Sequence, residues 1–113
     1  MVSITVSKNE DGVCEVVKLS GHAGYAESGE DIVCSAISVL YLNTVNAIEV
    51  FTKDDFITED NPKKDTQLLQ MTSSISDESK LLLDAMLLGF ESIQKEYGKK
   101  YIKIVYKKKK REV

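Results

Sequence analysis

A histidine and a cysteine share one glycine-punctuated run, Gly21-His22-Ala23-Gly24-Tyr25-Ala26-Glu27-Ser28-Gly29-Glu30-Asp31-Ile32-Val33-Cys34. His22 is the only histidine of the chain, and Cys34 is one of two cysteines. A cysteine attacks a carbonyl as its thiolate, and an imidazole beside it takes and returns the proton. The residues after Cys34 have helical spacing, and Asp31 reads as the N-cap, which puts Cys34 third inside the helix. Free N–H groups and the positive end of the helix dipole then favour a thiolate and offer donors to an oxyanion. Such surroundings lower a thiol pKa from about 8.5 to roughly 3.5–7.5.

Each residue also has an ordinary reading. Cysteine is often a small buried hydrophobe, and a lone loop histidine is often just polar. Asp31 either caps the helix or orients the His22 ring as the third member of a triad. Ser38 lies one turn beyond Cys34, able to bond the sulfur, substrate or its own helix backbone. Cys14 falls in a predicted strand and reads as packing, with a Cys14–Cys34 redox pair as the lesser alternative. Ala23, Gly24, Tyr25 and Gly29 form a loop beside which a substrate would enter, ordering when it binds.

The 113 residues suit one domain, 1–113, with its own core. A hydrophobic share of 42% with 29% charged residues is that of a soluble globular protein, without a signal-peptide pattern or an apolar run near 18 residues. A cytoplasmic protein that makes no membrane contact is expected. Two cysteines make no disulfide framework, and with one histidine they supply only three ligands where structural zinc takes four. No metal or other cofactor is expected. The net charge is −3, yet Lys107, Lys108, Lys109, Lys110 and Arg111 crowd together at the end.

The elements that must position the pair follow from patterning. Val2, Ile4 and Val6 alternate with polar or small residues, Asn9-Glu10-Asp11-Gly12 turns the chain, and Val13 to Leu19 returns it. Asp31 to Phe51 is the first helix, with Ile32, Ala36, Ile37, Leu40, Thr44, Ala47 and Ile48 at helical spacing. Phe56-Ile57-Thr58 and Leu68-Leu69-Gln70-Met71 flank the polar Asn61–Asp65 connection of a second hairpin. Ser76-Asp77-Glu78 opens a second helix through Tyr97, closed by Gly98. Tyr101 to Tyr106 is the last strand. The result is an α+β domain of order ββαββαβ, a mainly antiparallel sheet with two helices on one face. An edge strand or uncovered face then offers a dimer surface.

Gly21-His22-Ala23, Gly29, and Asp31-Ile32-Val33-Cys34 with Ala36 and Ser38 resemble the signature of the bacterial ribosomal-processing cysteine protease Prp family, with agreement in length and element order over the whole chain. Ser35 departs from the alanine more usual after the cysteine. The resemblance implies a homodimeric α+β endopeptidase that removes the N-terminal extension of a large-subunit ribosomal protein. It implies Cys34 as nucleophile and His22 as general base, with Asp31, Ser38 and Gly21 in support. Two competing readings use the same features. A ribosome-associated RNA- or protein-binding module would employ the basic tail without catalysis, and a redox sensor would employ Cys34.

Overall fold

Alternation of Val2, Ile4 and Val6 builds β1 (Val2–Lys8), and the turn that follows returns the chain as β2 (Cys14–Ser20). The computed structural model describes residues 1–21 and 28–108, and over 28–31 the backbone alone. The Asn9 side-chain oxygen accepts from the N–H groups of Asp11 (2.9 Å) and Val13 (3.0 Å), which tightens the first turn. After α1 (Ser28–Phe51) come β3 (Phe56–Asn61) and β4 (Thr66–Met71), then α2 (Asp77–Tyr97) and β5 (Ile102–Lys108). The order is the expected ββαββαβ.

The strands form one sheet in the order β3-β4-β2-β1-β5. Only the β1–β5 pairing is parallel, so the sheet is mixed and mainly antiparallel. Register carries the burial pattern across it. Val6 pairs with Val17 and Val17 with Leu69, while Ile4 pairs with Leu19, and all five are buried. Side chains alternate between faces along a strand, so these rows share one face. Val33, Ile37, Tyr41 and Ile48 of α1 and Leu83, Met86, Leu87 and Phe90 of α2 complete the same core, which puts both helices on that face. The helices approach closely at Gly89, where an added Cβ would lie 2.7 Å from Leu40 Cδ1.

Two boundaries differ from the sequence reading. The helix α1 starts at Ser28, so Asp31 lies within its first turn and is not its N-cap. Gly29 discourages a helix locally, but Glu30 and Asp31 bring negative charge to the end where the helix dipole favours it. In addition, Ile32–Phe51 is long and apolar enough, by length and composition, to cross a membrane. Scattered Ser, Asn and Thr residues hide this from a search for an unbroken apolar run. One stripe of it faces the core, while Ile32, Val39, Val50 and Phe51 are exposed.

Helix α2 begins as expected. Ser76 is its N-cap and accepts from the Ser79 N–H at 3.2 Å. Its hydroxyl donates to Asp54 Oδ2 at 2.7 Å and its N–H to the same oxygen at 2.9 Å, tying the α1–β3 connection to the start of α2. Hydrogen bonds from Ser79 and Ser76 hold the Asp54 carboxyl below its usual range. Because the folded pKa is depressed, the stability Asp54 contributes is present at neutral pH and is lost as pH falls through the folded value. Replacing Ser76 with alanine removes the cap and both bonds of its hydroxyl. Urea denaturation at pH 7 is expected to show a loss of about 1 kcal/mol, and an unchanged midpoint would contradict this role of the cap.

Candidate active site

Helix α1 seats on the sheet through Val33, Ile37, Tyr41, Thr44 and Ile48, all buried and spaced three or four apart. Cys34 follows Val33 and is rotated about 100° around the helix from it. Its side chain is therefore half-buried, packed at the margin of the core. Ser38, one turn on, is half-buried on the same side. The early start of α1 moves Cys34 about 9 Å along the axis from Ser28. The terminal dipole and the unpaired N–H groups belong to the first turn. The helix N-terminus is accordingly not the oxyanion site that the sequence reading placed around Cys34.

The chain reaches His22 through a constrained residue. Gly21 has φ +76°, and a Cβ there would meet the Met1 carbonyl oxygen at 2.7 Å. Its N–H donates to the Asp65 carbonyl at 3.1 Å, across the start of β4. The short connection from α1 to β3 makes the two elements run in opposite directions. The beginning of α1, with Cys34, therefore lies toward the end of the sheet where β3 finishes at Asn61, β4 starts at Thr66 and β2 finishes at Ser20. Gly21 leaves the sheet at that end. Topology brings the exit from β2 and the start of α1 together.

His22, Ala23, Gly24 and Tyr25 lie outside the described residues, as does the side chain of Asp31. Gly29, read from sequence as part of the loop, is helical. Cys14 is fully buried in β2, and burial first, then the nearby Asp84 carboxylate, pushes its thiol up to about 12. It stays protonated and inert at physiological pH, as the packing reading required. Lys107 and Lys108 form the end of β5, and Lys109, Lys110 and Arg111 fall outside the described residues. Among the described residues no three His, Cys, Asp or Glu side chains gather as a metal site.

One cavity was not anticipated from sequence. About 180 Å³ of space opens between α1 and the β3–β4 hairpin, walled by Tyr41, Leu42 and Val45 and bounded by Thr58, Glu59, Asp60 and Gln67. Burial first, then the Asp60 charge, pushes the Tyr41 hydroxyl up to about 12, so it remains a neutral phenol. Only the sheet register brings Gln67 and Asp60 together beneath Tyr41. The helical spacing of Tyr41 and Val45 from Cys34 was the one local signal available.

The structure thus holds a half-buried cysteine in the second turn of a long helix, near the end of the sheet where the chain leaves β2 through Gly21. A family model described as cysteine protease Prp matches residues 1–103. The chain belongs to the cysteine protease Prp family. The ribosomal processing cysteine protease Prp of Staphylococcus aureus is 31% identical over 109 residues, covering 95% of this chain and all of that protein. The protein of the same name from Bacillus subtilis is 24% identical, over 86% of this chain and 90% of its own length. The S. aureus protease crystallised with a substrate peptide superposes with a TM-score of 0.88 at 28% identity, over 95% of this chain and all of that one. The same protease covalently linked to a product peptide gives 0.84 at 29% identity, with the same coverage. Membership in a protease family sets aside the reading as a binding module without catalysis.

Gly21 is the last described residue before His22. In Gly21→Ala the left-handed φ and the clash with a backbone oxygen act together, a cost of about 1–3 kcal/mol. Thermal unfolding of the variant should show this loss, and peptidase activity should fall even at temperatures where the variant is fully folded. Wild-type stability would contradict the assignment.

Proposed function

We propose that this protein is a ribosomal-processing endopeptidase that removes the N-terminal extension of a large-subunit ribosomal protein, with Cys34 as nucleophile and His22 as general acid and base. The observation that carries the residue assignment is the state of the other cysteine. The chain has two cysteines, and Cys14 is fully buried with its thiol pushed up to about 12. Cys34, half-buried at the rim of the core, is the thiol a peptide can reach. His22 is the only histidine and follows directly on Gly21, which lies at the end of the sheet toward which α1 begins. The names of the relatives support the substrate class.

In the proposed reaction His22 takes the proton of Cys34, and the sulfur attacks the scissile carbonyl carbon. The C–N bond then breaks as His22 returns the proton to the leaving amine. Water, deprotonated by His22, attacks the thioester, and Cys34 leaves as the thiolate and recovers its proton. Asp31, in the first turn of α1, supplies the carboxylate that orients the imidazole, and Ser38, one turn beyond Cys34, bonds the sulfur or the peptide. The loop containing Ala23, Gly24 and Tyr25 borders the entering peptide, with Gly29 at its helical end. The enzyme works in the cytoplasm, where its substrate is made. It acts as a homodimer, for which the exposed Ile32, Val39, Val50 and Phe51 of α1 supply an apolar surface.

The test is mass spectrometry of a peptide spanning a ribosomal N-terminal extension after incubation with the wild type, Cys34→Ala and His22→Ala. One defined cut is expected from the wild type, with each variant folded and slower by at least about 10³-fold. Full activity in Cys34→Ala would overturn the assignment, and cleavage of unrelated peptides with the extension left intact would overturn the substrate.

A further inference from the structure

The row of paired residues that crosses the core-facing side of the sheet changes character at its β4–β3 end. Ile104 pairs with Ile4 and Ile4 with Leu19, and then Leu19 pairs with Gln67 and Gln67 with Asp60. Three apolar residues are thus followed by an amide and a carboxylate. In the neighbouring row the same β4 position is the buried Leu69. Gln67 therefore occupies a place the fold otherwise fills with a hydrophobe. Its Oε1 is buried and, among the described residues, accepts no hydrogen bond. Buried acceptors left unpaired are uncommon and costly, and one that borders a cavity marks a position awaiting a donor.

The cavity next to Gln67 has a definite chemistry. Tyr41, Leu42 and Val45 give it an apolar wall, and Asp60 and Glu59 give it an acidic rim. An apolar sleeve that ends in carboxylates and a carbonyl oxygen matches a long alkyl chain carrying a cation, the shape of a lysine side chain. The lining also follows the site along α1. Tyr41 is seven residues after Cys34 and Val45 eleven after it, which places all three within about 20° of one line on the helix surface. Ser38 lies between them on that side. The cavity begins about 10 Å along the axis from Cys34, a distance spanned by about three residues of extended peptide.

We propose that this cavity is the specificity pocket of the peptidase for a lysine side chain of its substrate, about three or four residues from the scissile bond. The ammonium group donates to Gln67 Oε1 and pairs with Asp60, while its methylene stem lies on Tyr41 and Val45. The inference rests on the proteolytic reading above and adds to it the chemistry of one substrate residue. Such a pocket makes the enzyme selective for basic segments without the catalytic pair having to recognise sequence.

The experiment uses the full chain and peptides built on a ribosomal N-terminal extension. Each carries one lysine, moved through the four positions on either side of the cut, and each has a counterpart with norleucine, which keeps the stem and loses the charge. The ratio of kcat/KM for lysine over norleucine should reach about tenfold at one position three or four residues from the cut. That preference should collapse toward one in Asp60→Asn, an exposed position, and in Gln67→Leu, both checked for folding by circular dichroism. Equal cleavage of all pairs overturns the pocket and leaves the protease standing. A preference that survives in both variants overturns it as well, since another site then reads the lysine. Absence of cleavage of any peptide by folded protein defeats the proteolytic reading and the pocket with it.

Discussion

The seating of α1 on the sheet is the constraint on which the remainder of the molecule depends. Val33, Ile37, Tyr41, Thr44 and Ile48 form the stripe that is buried, and that stripe fixes the rotation of the helix. A side chain rotated just off one flank of the stripe lies at the margin of the core. Cys34 is such a residue, with its backbone held by the helix and its sulfur at the boundary between core and solvent. Burial of this kind gives a rigid platform, because Val33, Ile37 and Ile48 each contribute about 1.5–3 kcal/mol of transfer free energy when fully removed from water. A thiol carried on such a platform needs no loop to hold it in place. The same rotation sets Tyr41 and Val45 in line with Cys34, so the helix that carries Cys34 also walls the cavity beside it.

The sheet supplies the second half of the arrangement. Its central strands are paired on both sides, and the end of β2 is held through Gly21 against Met1 and Asp65. The chain thus departs toward α1 from a fixed point in a conformation that glycine adopts without strain. The connection from α1 to β3 is secured by the Asp54–Ser76 bonds, which tie it to the start of α2. Both helices are therefore anchored at their junctions with the hairpins, and their close approach at Gly89 locks one against the other. These contacts fix the position of α1, and with it that of Cys34.

Much of this was legible in the sequence because it is local. Alternation announced β1 and the Asn9–Gly12 turn, and Ser76 with Asp77 and Glu78 announced the start of α2. The beginning of α1 was misread because Ser28-Gly29 resembles loop, and a single glycine cost is outweighed once the helix gains tertiary support. That error placed Cys34 too near the helix end and credited the dipole with more than it supplies. The exposed apolar side of α1 was hidden by interspersed Ser, Asn and Thr. Cys34 and His22 stood out by residue type, whereas Gln67 and Asp60 did not. Their significance comes from pairing with each other beneath Tyr41, which no window along the chain contains.

The central claim is that Cys34, and not Cys14, is the thiol that forms the bond to substrate. A peptide chloromethyl ketone ending in the residues before the cut, followed by peptide mapping, tests it directly. The account predicts one equivalent of label, all on Cys34, with activity lost in proportion and Cys14 unmodified until the protein is unfolded. Label on Cys14 in the native protein, or full activity after Cys34 is completely modified, would contradict it.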